Sequence, residues 1–413
     1  MPKIKSITCH KILNSRGDWT IETKVTLDDG SEGIQAIPSG ASKGENEAID
    51  IPAERAVDIV NTAISDVLEG EDPTEQFVID RVLLEMDGTE NKSHLGGNSI
   101  LSVSLAAAKA SAESLGMELY EYLGSLYWHG KERQPELSFP VPVFNILNGG
   151  LHSHNNLSFQ EFMVIPSPSV PFNEALEMGT KIYHSLKDIL IKDGLDTDVG
   201  DEGGFAPNGL TVVKALDYIS KAASSEFKPG EQVFMGMDVA AGSFYTKSGY
   251  QIKEEGKSYD SGELSAFYND ILTKYPIIYL EDPFYEDDHE AWEHFSGIAG
   301  KKLMVVGDDL VVTNPKFLRV AIEKKLANAV IVKPNQVGTL SETFEFVHSA
   351  QKAGMKICVS HRSGETGEDT FIADLALAVR AEFMKSGAPV RGERVVKYNR
   401  LLQIFNEKNQ SIE

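Results

Sequence analysis

The sequence of 413 residues predicts an α/β protein with a smaller N-terminal α+β domain and a larger C-terminal TIM-like (β/α)8 barrel. Three observations predict this fold class. The first 135 residues combine a β-hairpin pattern with helical patterns, the rest alternates short β-rich runs with helical stretches, and nearly every β-rich run ends in a charge. We therefore expect one domain over residues 1–135 and a second, which carries the functional site, over residues 136–413.

The first domain opens with a β-hairpin pattern. Apolar and polar residues alternate over residues 21–27, Asp28-Asp29-Gly30 supplies a turn, and residues 33–37 form the second strand. Proline or a cap residue at the start, and glycine near the end, mark three helices after the hairpin. These helices are predicted over residues 52–68, over residues 73–86, and from a cap at Asn98 to a stop at Gly116. A polar stretch over residues 129–138 is predicted to be the linker.

The second domain alternates strands and helices from residue 139 onward, as a parallel sheet or barrel does. Strands are predicted over residues 159–165, 197–199, 233–237, 277–280, 303–306, 329–332, 356–360 and 381–384. The charged residues within or after these runs are Glu161, Asp201, Glu202, Asp238, Glu281, Asp282, Asp308, Asp309, Lys333, His361, Arg362 and Lys385. Return helices are predicted over residues 315–326, capped by Asn314, and over residues 340–353, where Thr339 and Glu342 fit a capping box.

The spacing of these charges indicates a barrel. From Glu281 they recur after 27, 25, 28 and 24 residues, at Asp308, Lys333, His361 and Lys385. A βαβ unit takes about 30 residues, so each charge lies one unit after the last. Because the C-terminal strand ends of a TIM barrel converge on one open face, we expect these side chains to line one site. The alternative, a polar edge of an open sheet, loses weight with each further charge at barrel spacing.

Three carboxylates on successive strand ends predict a metal site. Asp238, Glu281 and Asp308 are hard oxygen donors with no cysteine partner and no histidine at ligand spacing, a set that favours Mg²⁺ over zinc or copper. Without a cation or basic partners, three buried carboxylates would repel one another strongly.

The following strand ends are basic and predict an anion site. Lys333, His361 with Arg362, and Lys385 oppose the acidic half of the face. A lysine beside a metal-bound carboxylate can act as a base, because nearby positive charge and desolvation lower its pKa toward neutrality. Lys333 also fits a simple ion-pair partner of the acids. Glu202 lies among glycines, where flexible backbone brings a carboxyl group close to a ligand, although the pattern also fits a glycine-rich turn.

Composition excludes several classes of function. The net charge of −23 argues against a nucleic-acid partner, which needs a basic face. No run approaches the roughly 20 apolar residues of a membrane span, and the first ten residues lack the apolar core of a signal peptide, so a cytoplasmic location is expected. Cys9 and Cys358 are predicted to be small buried hydrophobes. Phosphate-loop, dinucleotide, serine-hydrolase and zinc-protease motifs are absent.

A series of specific motifs runs along essentially the whole chain. They include Ser15-Arg16-Gly17, Pro38-Ser39-Gly40-Ala41-Ser42, Asn148-Gly149-Gly150, Gln160-Glu161-Phe162-Met163, Gly200-Asp201-Glu202-Gly203-Gly204, Glu281-Asp282-Pro283, Lys333-Pro334-Asn335-Gln336, Ser360-His361-Arg362-Ser363-Gly364-Glu365-Thr366 and Arg394-Val395-Val396-Lys397-Tyr398-Asn399. With them the chain resembles the enolase (phosphopyruvate hydratase) family.

The resemblance implies an N-terminal α+β capping domain and an enolase-type barrel that departs from regular (β/α)8 order near its start. It also implies a lyase of glycolysis and gluconeogenesis that reversibly dehydrates 2-phospho-D-glycerate to phosphoenolpyruvate. Two Mg²⁺ ions per active site with substrate bound, and a homodimer or a larger assembly of dimers, follow from the same resemblance.

Site roles are likewise implied by the resemblance. Lys333 would take the C2 proton, and Glu202, supported by Glu161, would be the acid for the C3 hydroxyl. The first Mg²⁺ would be held by Asp238, Glu281 and Asp308, and the second, phosphate-associated ion with the help of Ser42. The other substrate-binding residues would be Arg362 and Ser363 at the phosphate, Lys385 at the carboxylate, and His152, Gln160 and His361 along the pocket.

Two alternatives to this function stay open at the level of sequence. One is a diverged member of the enolase superfamily that abstracts a proton beside a different carboxylate, against which the Arg362-Ser363 pair argues. The other is a binding protein with an inert enolase fold, whose expected sign is loss of Lys333, Glu202 or a metal-binding acid. None of these residues is lost.

Overall fold

The computed structural model of the protein describes residues 2–40, 44, 46–131, 135–299 and 302–410. Within these residues, the N-terminal part is built on an antiparallel sheet in the order β1-β2-β3. Its strands are β1 (Ile4–Leu13), β2 (Trp19–Leu27) and β3 (Glu32–Ala36). The predicted hairpin is confirmed as the β2–β3 pair, in which Val25 lies opposite Gly33.

Three of the described helices pack against this sheet: α1 (Ala53–Ile59), α2 (Ser65–Leu68) and α4 (Gly97–Ser114). Helices α3 (Gln76–Asp87) and α5 (Leu119–Trp128) pack against α4. A π-helical turn over Val60–Ile64 joins α1 to α2, so the helix predicted over residues 52–68 is confirmed as one helical segment. Helix α4 approaches β3 so closely that a Cβ on Gly33 would lie 2.0 Å from the carbonyl oxygen of Ala106. Glycine is therefore the residue that fits at this contact.

Two predicted helix starts are wrong. Helix α3 begins at Gln76 rather than at residue 73, and α4 begins after Gly96 rather than after a cap at Asn98. The Asn98 side chain instead accepts a hydrogen bond from the backbone N–H of Ile51 (3.2 Å) and donates one to the Ile51 carbonyl (2.9 Å). The Asn98 amide thus binds the backbone of a loop that is distant in sequence and does not cap its own helix.

The C-terminal part forms a closed barrel. Its strands, taken around the barrel within the described residues, are β4 (Val141–Asn148), β5 (Glu161–Pro166), β6 (Val233–Asp238), β10 (Ile277–Glu281), β11 (Met304–Gly307), β12 (Ala329–Val332), β13 (Lys356–Ser360) and β14 (Phe383–Lys385). Strand β5 is antiparallel to both neighbours, and the other adjacent pairs are parallel. The barrel therefore departs from regular order near its start.

The remaining elements surround the barrel or lie in its loops. The helices are α6 (Phe172–Lys192), α7 (Val212–Ser224), α8 (Ser261–Lys274), α9 (His289–Ala299), α10 (Pro315–Lys324), α11 (Pro334–Val337), α12 (Leu340–Lys352), α13 (Phe371–Val379) and α14 (Gly392–Gln410). A small antiparallel sheet comprises β7 (Tyr245–Thr246), β8 (Gly249–Ile252) and β9 (Lys257–Tyr259).

The strand predicted over residues 197–199 is wrong. This short run makes an isolated bridge from Val199 to Phe205, and the chain turns back where the N–H of Gly200 donates to the carbonyl of Gly204 (2.8 Å). Three residues followed by a glycine-rich turn are too few to form a barrel strand. The eighth strand of the barrel is β4, which was not predicted from the sequence. Glu202 therefore reaches the barrel end on a loop rather than at a strand end.

The predicted return helices are confirmed with Asn314 and Thr339 as N-caps, but only half of the predicted capping box forms, because the Glu342 carboxylate accepts from the Thr339 hydroxyl (2.7 Å) and not from its backbone N–H. The Asn314 side chain accepts from the backbone N–H of Lys316 at the start of α10, and the Thr339 hydroxyl accepts from that of Glu342 at the start of α12. Buried residues inside the barrel, among them Val143, Met163 and Tyr279, form a core of their own. This packing holds the strand ends in fixed relative positions.

The connection between the two parts lies between α5 and β4. The predicted linker, residues 129–138, falls in this interval, and residues 132–134 lie outside the described residues. The domain boundary at residues 135/136 stays a prediction. Among the described helices, none combines the length and the apolar character that a membrane crossing requires.

A buried carboxylate connects the N-terminal part to the barrel. Asp80, on α3, accepts a hydrogen bond from the backbone N–H of Ser341 at the start of α12 (2.8 Å) and another from the Ser341 hydroxyl. Within the N-terminal part it also accepts one from the Gln76 amide (2.9 Å). Asp80 is fully buried, so its oxygens depend on these donors.

Replacing Asp80 with Ala is expected to lower the free energy of unfolding by about 2–4 kcal/mol, because buried donors of Ser341 and Gln76 lose their acceptor. Urea unfolding followed by circular dichroism measures this change. Asp66→Ala, at an exposed position on α2, is the matched control and should change stability by no more than about 0.5 kcal/mol. Equal stability of the two variants would show that Asp80 does not hold the two parts together.

Candidate active site

The charged strand ends meet at one end of the barrel. In the strand register Asp238 lies opposite both Glu161 and Glu281, and Lys385 lies opposite Ser360, directly before His361. A cavity opens there. The predicted site residues that line it are His152, Gln160, Glu161, Glu202, Asp238, Asp308, Lys333, His361, Arg362, Ser363 and Lys385. Glu281 lies beneath them, fully buried, and Ser42 lies outside the described residues.

Lys385 is the cation that pairs with the buried carboxylates at the cavity floor. Its ammonium nitrogen lies 2.9 Å from both carboxylate oxygens of Glu281, 3.1 Å from Oε2 of Glu161 and 3.5 Å from Oδ2 of Asp238. Burial and the neighbouring acids nevertheless raise the pKa of Asp238 to about 6 and that of Glu281 to about 7. Burial alone would lower the pKa of Lys385, but the surrounding carboxylates raise it well above its usual range. The floor therefore carries more negative charge than one lysine balances.

Lys333 pairs with the third predicted metal-binding acid. Its ammonium donates to Oδ2 of Asp308, and the Gln336 amide donates to Oδ1 of the same carboxylate (3.0 Å). Burial would lower the pKa of Lys333, but the charge of Asp308 outweighs it and raises this pKa. The pKa of Lys333 is therefore raised, whereas the sequence led us to expect a lowered pKa beside a metal-bound carboxylate. The difference arises because the negative charge of Asp308 stabilises the ammonium directly. Lys333 also holds the pKa of Asp308 below its usual range against the effect of burial.

Glu161 and Glu202 form a carboxyl pair on one wall. Nδ1 of His152 lies 3.4 Å from Oε1 of Glu161 and 3.5 Å from Oε1 of Glu202. Burial and the charge of Glu202 raise the pKa of Glu161 well above its usual range. Burial works in the same direction on Glu202, but His152 and His361 outweigh it and hold its pKa well below the usual range. The pair therefore keeps one proton, on Glu161, at neutral pH.

Arg362 and Ser363 lie on the loop after β13. The Arg362 guanidinium, almost fully buried, donates to both carboxylate oxygens of Glu47 (2.9 and 3.3 Å) and to Oδ1 of Asn335 (3.3 Å). The backbone N–H of Arg362 donates to Glu365 (2.8 Å). These bonds hold a permanent positive charge at the cavity wall, where a planar fork of donors suits a phosphate or a carboxylate.

Several residues at the site were not predicted from the sequence. Glu47 pairs with Arg362, Gln336 and Asp282 support Asp308, and Asn145 donates to Oε2 of Glu202 (3.0 Å). Gln336 follows Lys333 by three residues in the same motif, so the sequence indicates that it lies near the site. Glu47 and Asn145 carry no spacing signal of their own, because their contacts come from the fold in three dimensions. Asp282 follows Glu281 at a predicted strand end, and only its bonds to the backbone of Asp308 and Asp309 were not predicted.

The residues present fit a divalent cation. Asp238, Glu281 and Asp308 offer only oxygen ligands, and the raised pKa values of the first two record charge that a cation would relieve. Among the described residues, two other groups have ligand atoms that already lie within 4.8 Å of one another. They are His152 with Glu161 and Glu202, and Asp282 with Asp308 and Asp309. The Asp282 oxygens, however, already accept from the N–H groups of Asp308 and Asp309 (2.9 and 2.8 Å), so we expect the ion at Asp238, Glu281 and Asp308.

Comparison with protein families covers both parts of the chain. A model for the enolase C-terminal TIM barrel domain matches residues 136–412. A model for the enolase N-terminal domain matches residues 4–123. Together the two matches extend over most of the chain.

Asp238→Asn, Glu281→Gln and Asp308→Asn are each expected to weaken Mg²⁺ binding by at least roughly 10-fold, since even outer-shell changes commonly cost that much. Isothermal titration calorimetry of the full chain measures the dissociation constant. Glu290→Gln, exposed on α9, is the control and should bind as the parent does. Loss of binding in Asp309→Asn with full binding in Asp238→Asn and Glu281→Gln would instead locate the ion at the Asp282 cluster.

Proposed function

The chain belongs to the enolase family, and from that premise we propose that it catalyses the reversible dehydration of 2-phospho-D-glycerate to phosphoenolpyruvate. The observation that carries the proposal is that one cavity is lined by a largely buried lysine, a carboxyl pair and a buried arginine: Lys333, Glu161 with Glu202, and Arg362. This reaction needs a base for C2, an acid for the C3 hydroxyl and a cationic site for phosphate, and the cavity contains a candidate for each.

Lys333 is the proposed base. It takes the C2 proton as a neutral amine, so before the reaction its ion pair with Asp308 must break and the ammonium must lose a proton to solvent. The C2 proton is only weakly acidic because its removal adds a second negative charge beside an ionised carboxylate. Mg²⁺, held by Asp238, Glu281 and Asp308, with Ser42 assisting at a second ion, would supply positive charge that stabilises this dianion.

Glu202 and Glu161 are the proposed acid pair. In the dehydration direction the proton held by Glu161 passes to Glu202, which gives it to the C3 hydroxyl. The hydroxyl leaves as water as the C2–C3 double bond forms. Glu161 keeps a proton within the pair, because burial and the charge of Glu202 raise its pKa well above the usual range. In the reverse direction Glu202 takes a proton from the attacking water.

The remaining cationic and polar groups are proposed to bind the substrate. Arg362 and Ser363 would bind the phosphate, and Lys385 the carboxylate, since these groups offer charge-assisted donors to an anion. His152, Gln160 and His361 would line the pocket around the carbon chain. A role in glycolysis and gluconeogenesis, a cytoplasmic location and a homodimer or assembly of dimers are proposed from the family likeness alone.

The direct test is the growth of phosphoenolpyruvate absorbance from 2-phospho-D-glycerate, with Mg²⁺ and after exhaustive chelation. We expect turnover with Mg²⁺ and none after chelation. Phosphate-free 2-hydroxy acids assayed in parallel should not react, because Arg362 would lack its partner. Turnover of such an acid in place of 2-phospho-D-glycerate would indicate a diverged superfamily enzyme, and no turnover of any substrate would indicate an inert binding protein.

Base and acid can be separated by isotope exchange. Lys333→Ala is expected to abolish both C2 proton exchange with deuterated solvent and dehydration, with at least the roughly 10²–10⁴-fold loss typical of a general base. Glu202→Gln should stop dehydration while leaving measurable C2 exchange, because Lys333 is intact. Nuclear magnetic resonance of the substrate follows both reactions. Exchange lost equally in both variants would contradict this division of roles.

A further inference from the structure

Arg394 is a fully buried arginine directly behind the proposed acid. It lies in the first turn of α14, and its guanidinium donates to the backbone carbonyls of Arg362 (2.6 Å), Ser363 and Asp201 (3.0 Å). Its Nη1 also lies 2.7 Å from Nδ1 of His361. Arg394 therefore joins the Glu202 loop to the loop after β13.

The contact between Arg394 and His361 determines the state of the imidazole. A guanidinium has donors only and stays protonated in proteins, so Nδ1 of His361 must be the acceptor and carry no proton. Burial, with Arg394 nearby, also lowers the pKa of His361 to about 3, so the ring is neutral at neutral pH. Its single proton must then be on Nε2.

The opposite nitrogen of the ring faces Glu202. Nε2 of His361 lies 3.3 Å from Oε2 of Glu202, and the Asn145 amide donates to the same oxygen (3.0 Å). Because Oε2 accepts from the Asn145 amide and has the Nε2–H of His361 as its next neighbour, it is a poor place for a proton. Oε1 of Glu202 lies instead beside His152, on the side where Oε1 of Glu161 also lies.

We propose that Arg394 is a positioning residue that fixes His361 as its Nε2–H tautomer and so confines the transferable proton of Glu202 to Oε1. The part concerning proton transfer rests on the proposed function, whereas the tautomer of His361 does not. The proton then lies on the side of the carboxyl group that faces the Glu161 partner. Rotation of the group to present a protonated Oε2 would set an O–H against the Nε2–H of His361.

The close packing around this chain of contacts supports a positional role. A Cβ on Gly387 would lie 2.6 Å from the carbonyl oxygen of Glu202, 3.1 Å from Cδ of Arg394 and 3.2 Å from Cε1 of His361. Gly387 also has a φ of +73°, which glycine adopts without strain. The Arg394 and His361 side chains thus have little room to take other rotamers.

The first test is the nitrogen spectrum of the wild-type protein, labelled with ¹⁵N-histidine and without substrate. His361 is one of 10 histidines, and its signals are identified by their loss in His361→Gln. We expect an unprotonated Nδ1 and a protonated Nε2 for His361. A protonated Nδ1 in the wild-type protein would overturn the proposal without any Arg394 variant.

The second test removes the donors of Arg394 while keeping most of its volume. Arg394→Met is expected to populate the Nδ1–H tautomer of His361 and to lower kcat for dehydration roughly 10–100-fold, as loss of an orienting partner does. C2 proton exchange should fall much less, because Lys333 is untouched. Arg391→Met is the matched control, since Arg391 contacts the carbonyl of Gly200 (3.4 Å) in the Glu202 loop but is not among the partners of His361 in the described residues. It should leave the tautomer unchanged.

The outcomes separate this inference from the proposed function. An unchanged His361 tautomer in Arg394→Met, or the same shift in Arg391→Met, would contradict a specific role for Arg394. Equal loss of C2 exchange and dehydration in Arg394→Met would overturn the link to the Glu202 proton. The expected tautomer in a protein that does not turn over 2-phospho-D-glycerate would refute the proposed function while leaving the role of Arg394 on His361 in place.

Discussion

The structure depends on one electrostatic constraint, which is the burial of an excess of carboxylates at one end of a closed barrel. Asp238, Glu281 and Asp308 are at most slightly exposed, and ions removed from water in this way are stable only beside opposite charge. Lys385 and Lys333 supply that charge from strand β14 and from the end of β12. Closure of the barrel brings these distant segments together, so the charge pairs of the site form only when the barrel is folded.

The same constraint explains how the site can work. The carboxylates that suit a divalent cation are already paired with Lys333 and Lys385. The two lysines hold these carboxylates in place, and a cation can replace them as the positive partner. In the described state Asp308 keeps Lys333 protonated, and a lysine acts as a base only once that interaction weakens. The opposite wall is arranged differently, because Glu161 and Glu202 share one proton under the influence of His152 and His361. The proposed base and the proposed acid pair are therefore influenced by separate neighbours.

Sequence alone accounts for most of the fold and for most of the charged residues that line the cavity. Apolar runs that end in charge at one-unit spacing predicted the strand ends from Asp238 to Lys385, because strand order and strand length are local properties. The strand over residues 197–199 and the cap at Asn98 failed where a glycine turn and a distant backbone partner overrode local pattern. The raised pKa of Lys333 and the contact of Arg394 with His361 depend on distances between remote segments, which no spacing encodes.

We propose that Asp238, Glu281 and Asp308 share one cation position, which lysines occupy in the free protein. Crystal structures grown without metal and with Mn²⁺, with anomalous scattering to locate the ion, test this proposal most directly. We expect Lys333 on Asp308 without metal. With Mn²⁺ we expect an ion bound by oxygens of all three carboxylates and the Lys333 ammonium moved away from Asp308. An ion bound by Asp282 and Asp309, with Lys333 still on Asp308, would contradict it.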